Sequence, residues 1–221
     1  MQDLTIKSLF TVDDVLCDFI SRFTYPWEVL PYLKTQLEYF VEHAKRDYYF
    51  LSRGVLVHES ADIDYRAVIN APCVICKNVS VRPYAYLRGG VFLGENVTVG
   101  NSTEIKNSIL FANSVVPHFN YVGDSILGQN AHFGAGAITS NLKADKSCVK
   151  INKNGISIST GLIKCGAFVG DGVEIGANTV LNPGSVIGKK TRIYPLCNVR
   201  GYVDKNSIYK SCGDIIKYLE D

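Results

Sequence analysis

A period of six residues governs most of this chain and restricts what it can fold into. From residue 55 onward, a large apolar residue recurs at every sixth position, and a small or β-branched residue lies two places before each. Neither the 3.6-residue period of a helix nor the two-residue alternation of a strand produces this spacing. The large apolar series is Val57, Ile63, Ile69, Ile75, Val81, Leu87, Leu93, Val99, Ile105 and Phe111, then Pro117, and after interruptions Leu127, Phe133, Thr139, Ile163, Val169, Ile175, Leu181, Ile187, Ile193 and Val199. The residues two places before include Val55, Ala61, Ala67, Cys73, Thr103, Ile109 and Val115.

Hexapeptide repeats are typical of a parallel β-helix, in which each repeat gives one short strand and one turn. Both apolar positions are expected to point inward, and the Gly and Asn residues that follow suit turns with positive φ. Three repeats close one triangular coil of about 18 residues, and each coil contacts only its neighbours. Residues 18 apart, such as Lys106 and Asp124, are therefore expected to stack on one face.

The segment before the repeats is aromatic and has a helical pattern. Thr11 and Asp14 resemble a capping box that opens a helix over Val12–Phe23. Apolar residues at spacings of three and four predict a second helix over Trp27–Ala44. We expect this N-terminal helical region, residues 1–54, to be a packing appendage.

Two later segments also leave the hexapeptide pattern. Within residues 140–161, Asn154 and Gly155 separate two alternating segments, which predicts a β-hairpin arm. Residues 204–221, which contain Ile215, Ile216 and Leu219, are expected to form a tail with a short helix. The predicted fold class is mainly β, with a β-helix domain over residues 55–203.

The charge balance excludes some classes of partner. The 221 residues carry 23 basic and 21 acidic side chains, a net charge of +2, whereas proteins that bind nucleic acid or membrane surfaces usually show a basic excess. No apolar run reaches the ~18 residues that span a bilayer, and the first ten residues lack a signal-peptide pattern. We therefore expect a cytoplasmic protein, in which the seven cysteines are free thiols and Cys73 and Cys76 pack in or near the core.

Residues that can transfer protons or form hydrogen bonds with a substrate are concentrated in 118–141, next to an interruption of the six-residue register. His118, Tyr121, His132 and Asn141 lie there together with a glycine-rich stretch, 134–136. A histidine with a pKa near neutrality can remove the proton of an attacking amine. Backbone N–H groups of a glycine-rich stretch can stabilise an oxyanion.

Two motifs in this region carry a family resemblance. The stretch H-F-N-Y-V-G-D-S (118–125), followed by G-A-G-A-I-T-S-N (134–141), resembles the acetyltransferase domain of bifunctional bacterial N-acetylglucosamine-1-phosphate uridyltransferases. The later stretches K-I-N-K-N-G, I-S-T-G and G-A-F-V-G are similar to archaeal sugar-1-phosphate nucleotidylyltransferases with C-terminal acetyltransferase domains and to their stand-alone bacterial relatives. Y-P-W-E-V-L-P, near the N-terminus, is similar to the leader of the stand-alone proteins.

The resemblance, which covers about residues 55–203, implies a left-handed coil. It also implies a homotrimer in which coenzyme A binds between neighbouring prisms. The implied reaction moves an acetyl group from acetyl-CoA to the amine of an amino-sugar phosphate, in the pathway to UDP-N-acetylglucosamine and related nucleotide sugars. Glucosamine 1-phosphate is the leading substrate; galactosamine 1-phosphate and, after it, a nucleotide-linked amino sugar are the alternatives.

The resemblance also implies roles for individual residues. His118 matches the family's catalytic base, and Arg88 and Lys106 match its sugar-phosphate-binding cations. Tyr121 and Asn141 match positions that hydrogen bond the substrate.

Further positions match less regular parts of the family pattern. Lys146, with Lys143 nearby, matches a loop lysine that binds the substrate. Ala135 matches a residue whose backbone contacts acetyl-CoA, and Arg200 is a candidate for the phosphates of coenzyme A. His132 replaces an Asn of the uridyltransferase branch, so it is a candidate substrate contact, and which histidine acts as the base stays open.

Three other functions compete with this interpretation. A zinc-dependent, carbonic-anhydrase-like trimer needs three histidines on one metal ion, and only His118 and His132 are candidates; we expect no metal site. A non-catalytic hexapeptide module that binds or regulates a sugar nucleotidylyltransferase is the main alternative, and the intact H-F-N-Y-V-G-D motif argues against it. Nucleotidylyl transfer is not expected, because no Gly-rich nucleotide-binding domain precedes the repeats.

Overall fold

A computed structural model describes residues 1–13, 15–43, 46–211 and 214–217 and shows a mainly β chain. The helices are short and precede the strands. They are the 3-10 helices Gln2–Leu4, Pro26–Glu28 and Leu30–Tyr32, and the α-helices α1 (Ile6–Leu9), α2 (Cys17–Ile20) and α3 (Leu33–Glu42). Among the described residues, no helix has the length and apolar character needed to cross a membrane.

Both predicted helices are wrong in extent. Only α2 is helical within Val12–Phe23, and Asp14 of the expected capping box lies outside the described residues. The backbone N–H of Thr11 instead donates to Asp171 of the β-helix at 2.8 Å, so this segment is held by tertiary contact. Within the predicted Trp27–Ala44, α3 begins only at residue 33, because Pro31 falls in the preceding 3-10 helix, and Ala44 is outside the described residues.

The strands are short and follow one another around the coil. Before the insertion they are β1 (Tyr48–Ser52), β2 (Val55–His58), β3 (Asp62–Ile63), β4 (Val68–Ile69), β5 (Cys73–Ile75), β6 (Ser80–Val81), β7 (Tyr86–Leu87), β8 (Val91–Leu93), β9 (Thr98–Asn101), β10 (Glu104–Lys106), β11 (Ser108–Leu110), β12 (Val115–His118), β13 (Tyr121–Gly123), β14 (Ile126–Leu127), β15 (His132–Phe133) and β16 (Ile138–Thr139). The inserted hairpin is β17 (Lys150–Lys153) and β18 (Ile156–Ser159). The remaining strands are β19 (Ala167–Val169), β20 (Glu174–Ile175), β21 (Val180–Leu181), β22 (Ser185–Ile187), β23 (Arg192–Ile193), β24 (Asn198–Val199), β25 (Tyr202–Val203), β26 (Ser207–Tyr209) and β27 (Ile215–Lys217).

These strands build three sheets, since each strand pairs in parallel with its counterpart one coil away. Sheet 1 has the order β1-β2-β5-β8-β11-β14-β19-β22-β25, and sheet 2 the order β27-β26-β23-β20-β15-β12-β9-β6-β3. Sheet 3 has the order β24-β21-β16-β13-β10-β7-β4. Only the end strands β1 and β27 pair antiparallel in them. The six-residue period therefore predicted the fold class correctly, as a parallel β-helix.

The inward positions form one continuous core inside the coil. Leu87, Val99, Ile105, Phe133 and Ile187 are fully buried in it, as the hexapeptide pattern predicted. Cys73 also lies in this core, and Cys76 is buried just outside it. Stacked coils thus share one column of apolar contacts along the molecule.

The register differs from the prediction at the corner that precedes β11. Three residues separate Leu87 from Val91, but only two separate Ile105 from Ser108, so Ser108 pairs with Val91 at a distance of 17 residues instead of 18. The inward residue of β11 is consequently Leu110. The predicted inward positions Ile109, Phe111, Val115 and Pro117 are therefore wrong, and Ile109 and Phe111 pack on the outside. The predicted inward position Ile163 is wrong for another reason: it lies between the inserted hairpin and β19 and is exposed.

The N-terminal segment packs on the outer face of sheet 1. Its buried residues contact the outward column Leu56, Val74, Phe92, Ile109, Ile126, Phe168 and Val186. The ring of Trp27 lies 6.0 Å from that of Phe168, and the ring of Phe10 lies 5.6 Å from that of Phe111, between centroids. Sheet 1 is therefore covered on both faces.

The insertion contains the hairpin expected around Asn154 and Gly155, in which Ile151 pairs with Ile158. Val149 and Ile151 are buried in the same outer cluster as the N-terminal helices. The short helix expected within residues 204–221 is wrong where the structure describes it, because β26 and β27 pair antiparallel, with Ile208 opposite Ile216. The added strand satisfies the backbone groups of an open sheet end; Leu219 lies outside the described residues.

Candidate active site

A buried carboxylate, Asp124, collects hydrogen bonds at the edge where the strands of sheet 3 end. It accepts from Lys106 Nζ at 3.1 and 3.3 Å, from Asn107 Nδ2 at 2.9 Å and from Asn141 Nδ2 at 2.5 Å. Its side chain is 6% exposed, and that of Lys106 is 22% exposed. These residues are 17 or 18 apart, so coil stacking brings them together. We call Lys106, Asn107, Tyr121, Asp124 and Asn141 the Asp124 cluster.

Tyr121 joins this cluster through its hydroxyl, which accepts from Asn141 Nδ2 at 3.2 Å. Its ring lies over Gly123: a Cβ added there would be 2.5 Å from the hydroxyl oxygen and 2.8 Å from Asn141 Nδ2. Burial raises the pKa of Tyr121, and the nearby charge of Asp124 raises it further. The hydroxyl therefore stays protonated near neutral pH and has a hydrogen to donate to a ligand.

Arg88 lies beside the cluster and is paired with a carboxylate. Its Nη1 is 2.7 Å from Glu104 Oε1, and the backbone of Glu104 pairs with that of Tyr121. Glu104 raises the pKa of Arg88, so the guanidinium stays charged. Both cations implied by the resemblance, Arg88 and Lys106, are thus partly neutralised; such pairing fixes their position, while each keeps further N–H donors.

His118 ends β12 and is held by its backbone. Its N–H donates to Asn120 Oδ1 at 3.0 Å, and its carbonyl accepts from the N–H of Gly136 at 3.0 Å. The residue is exposed, and within the described part of the chain no group hydrogen bonds its imidazole. The ring is therefore positioned by a fixed backbone and is accessible to a ligand.

His132 lies on the same sheet, one coil further along, and has the partner that His118 lacks. Its Nδ1 is 2.9 Å from Glu174 Oε2, and the two residues are paired across neighbouring strands. A carboxylate only accepts, so Nδ1 carries the hydrogen in this contact and Nε2 of a neutral ring is left as an acceptor. This histidine is also suited to accept a proton.

The two predicted coenzyme A residues lie apart. Ala135 precedes β16, and its carbonyl accepts from the N–H of Asn178 at 2.8 Å. Arg200 follows β24, at the opposite edge of sheet 3, and lines a cleft of about 460 Å³ with Ser140, Leu142, Lys143, Ala144, Asp145, Asn182 and Pro183. Lys143, rather than the predicted Lys146, lines this cleft. A single chain therefore does not bring Ala135 and Arg200 together.

The structure brings Lys106 and Asn141 together on Asp124, and Tyr121 joins them through Asn141. Arg88 lies alongside, and His118 and His132 lie on the adjoining sheet. Sequence reasoning did not assign Glu104 or Glu174 to the site. Glu104 lies 16 residues from Arg88, close to one coil, so the spacing could have found it. Glu174 is 42 residues from His132, because the inserted hairpin separates their coils.

The described residues contain no group of three or more His, Cys, Asp or Glu side chains that could hold a metal ion. The thiol of Cys165 is close to Asp124, and burial raises its pKa, as it does for Cys73. A thiol of raised pKa is a weak nucleophile. The residues of this region that are suited to proton transfer or anion binding are its histidines, Tyr121 and the paired cations.

The chain has a structural likeness to solved hexapeptide proteins. A hexapeptide transferase family protein from Anaplasma phagocytophilum is 17% identical, with 77% of this chain and 87% of that chain covered and a TM-score of 0.37. The acetyltransferase domain of PglB from Neisseria gonorrhoeae, in complex with acetyl coenzyme A, is 15% identical, with 71% and 54% covered and a TM-score of 0.27.

Sequence comparison gives closer relatives. Residues 71–161 match the model of the GMPPB C-terminal domain. A bifunctional sugar-1-phosphate nucleotidylyltransferase/acetyltransferase of Sulfurisphaera tokodaii is 35% identical over 189 residues, which are 84% of this chain and 47% of the relative. A bifunctional protein GlmU of Methanococcus maripaludis is 42% identical over 129 residues, 58% of this chain and 31% of the relative. The chain thus spans at most about half of these relatives, and the family resemblance is confirmed: it is homologous to the C-terminal domain of bifunctional GlmU and sugar-1-phosphate nucleotidylyltransferase/acetyltransferase proteins.

Proposed function

We propose that this chain is an acetyl-CoA-dependent N-acetyltransferase that acts on an amino-sugar phosphate, with glucosamine 1-phosphate as the leading substrate. The name of its Sulfurisphaera tokodaii relative includes an acetyltransferase activity. The observation that supports the proposal most strongly is the Asp124 cluster. It joins an ammonium group, a protonated phenol and an amide at one edge of sheet 3, and the exposed His118 lies three residues before Tyr121 in the chain.

In this mechanism His118 accepts the proton of the sugar amine as that nitrogen bonds to the carbonyl carbon of the thioester. The C–S bond then breaks, and the proton passes from the imidazole to the departing sulfur. Tyr121 and Asn141 orient the sugar through hydrogen bonds, and Arg88 and Lys106 bind its phosphate. Backbone N–H groups within 134–136 are suited to stabilise the developing oxyanion.

The test of this function is thiol release from acetyl-CoA against a panel of amino-sugar phosphates. We expect His118→Ala to lower kcat by about 10²–10⁴ with the fold intact. His58→Ala is the matched control, because in the described structure the imidazole of His58 hydrogen bonds only Ser60. An unchanged kcat in His118→Ala would remove His118 as the base, and no measurable acetyl-CoA binding by the unaltered protein would favour a non-catalytic module.

We propose that the working form is a homotrimer. Ala135 and Arg200 lie at opposite edges of sheet 3, so a cleft that uses both needs a neighbouring subunit. Tyr65, Tyr84, Phe119 and Leu196 are large apolar residues that are 60–88% exposed near the corner between sheets 2 and 3. Such exposure is typical of an interaction surface. Light scattering at micromolar concentration should give the trimer mass, and a monomer would contradict this assembly.

A further inference from the structure

Lys34, in the first turn of α3, lies across a pocket from the Asp124 cluster. The pocket has a volume of about 260 Å³ and is lined by Leu30, Pro31, Lys34, Lys106, Asn107 and Asp124. The side chain of Lys34 passes over Gly90, where an added Cβ would lie 3.1 Å from its Cγ. One wall of the pocket therefore comes from the N-terminal region and the other from the β-helix.

The side chains that line this pocket carry more positive than negative charge, with two lysines and one carboxylate. Asp124 is the one carboxylate in the lining, and Lys106, Asn107 and Asn141 already donate to it. Among the described residues, no carboxylate lies within ion-pair distance of Lys34. Two ammonium groups thus face one engaged carboxylate, and the excess positive charge favours an anion.

Helix packing, rather than a loop, sets the position of Lys34. Leu30, Leu33 and Leu37 are buried and hold α3 against the outer face of sheet 1. Because the helix is anchored on both sides of residue 34, its exposed ammonium group projects from a fixed backbone. A fixed cation binds an anion with less loss of conformational entropy than a mobile one does.

We propose that this pocket is a binding subsite for a phosphate monoester, in which Lys34 joins Lys106 in holding the phosphate. The identification of that phosphate with the amino-sugar substrate rests on the proposed function; the phosphate of coenzyme A is the other source. The N-terminal region is then part of the substrate site, and it contributes to the preference for phosphorylated over unphosphorylated amino sugars.

The kinetic test uses Lys34→Ala in the full chain, with Lys7→Ala as the control, since Lys7 is an exposed lysine of α1. We expect KM for the amino-sugar phosphate to rise about tenfold in Lys34→Ala, with KM for acetyl-CoA and kcat nearly unchanged. Lys34→Arg should keep most of the affinity, and Lys106→Ala should raise the same KM. A rise in the acetyl-CoA KM alone would assign the pocket to coenzyme A, and no rise in either would overturn the proposal.

A binding test separates this inference from the proposed function. Calorimetry with inorganic phosphate should detect binding to the unaltered protein and to Lys7→Ala, and markedly weaker binding to Lys34→Ala. This result would support the subsite even if no amino-sugar phosphate were acetylated. Failure of the unaltered protein to bind millimolar inorganic phosphate would overturn the subsite while leaving the acetyltransferase proposal standing.

Discussion

Sheets 1 and 3 are built from the same kind of stacked parallel strands, but the outer face of sheet 1 is covered by other parts of the chain and that of sheet 3 is open to solvent. From Leu56 to Val186 the outward column of sheet 1 is apolar and is buried under the N-terminal segment and the inserted hairpin. All residues of the outward column of sheet 3 are exposed or half-buried; they are Val68, Tyr86, Glu104, Tyr121, Ile138, Val180 and Asn198. Stability and the candidate chemistry are therefore located on different faces of the coil. Sheet 1 contributes stability, and the open sheets carry the residues suited to chemistry.

The largest expected effect of this difference is on stability. Phe168→Ala should lower the free energy of unfolding by about 3–5 kcal/mol, because it leaves a cavity beneath Trp27. Denaturant unfolding followed by circular dichroism measures this loss.

Two valines give a matched control for this comparison. Val74, on the outer face of sheet 1, is 2% exposed, and Val68, on that of sheet 3, is 53% exposed. Val74→Ala should cost roughly 2 kcal/mol and Val68→Ala well under 1 kcal/mol, since buried methylene groups contribute about 0.8 kcal/mol each. Equal losses would mean that the face of sheet 3 is also buried in solution.

A smaller effect is expected on the open face of sheet 2. Glu174→Gln should lower kcat about two- to tenfold, because an amide no longer fixes the hydrogen of His132 on Nδ1. If Glu174 acts through His132, the double variant with His132→Ala should be no slower than His132→Ala alone. Additive losses in this cycle would show that the two side chains act independently.

The fold was predictable because the inward period depends only on residues close in sequence. The cover on sheet 1 left a signal too: apolar triplets such as Val55-Leu56-Val57 and Val91-Phe92-Leu93 fit a sheet that is buried on both faces. The sequence did not reveal the extent of the helices, since short helices depend on tertiary packing.

In the candidate site, too, the contacts that could be predicted are those set by the regular spacing of the coil. The contact of Lys106 with Asp124 followed directly from the coil length. The contact of His132 with Glu174 was hidden by the inserted hairpin, and the position of Lys34 depends on how a separate segment docks.

The shortened corner before β11 shows how a β-helix can tolerate a deletion during evolution. One residue fewer in that turn makes Ser108, whose hydroxyl donates to the carbonyl of Lys106 at 2.8 Å, the small residue inside the coil, and leaves Ile109 facing out. Because Ser108 still stacks on Val91 and Leu110 on Leu93, the turn absorbs the missing residue, and a single codon deletion at a corner can leave the inward and outward residues of the following strands unchanged. Corners of this kind can therefore gain or lose residues during evolution while the apolar core inside the coil stays intact.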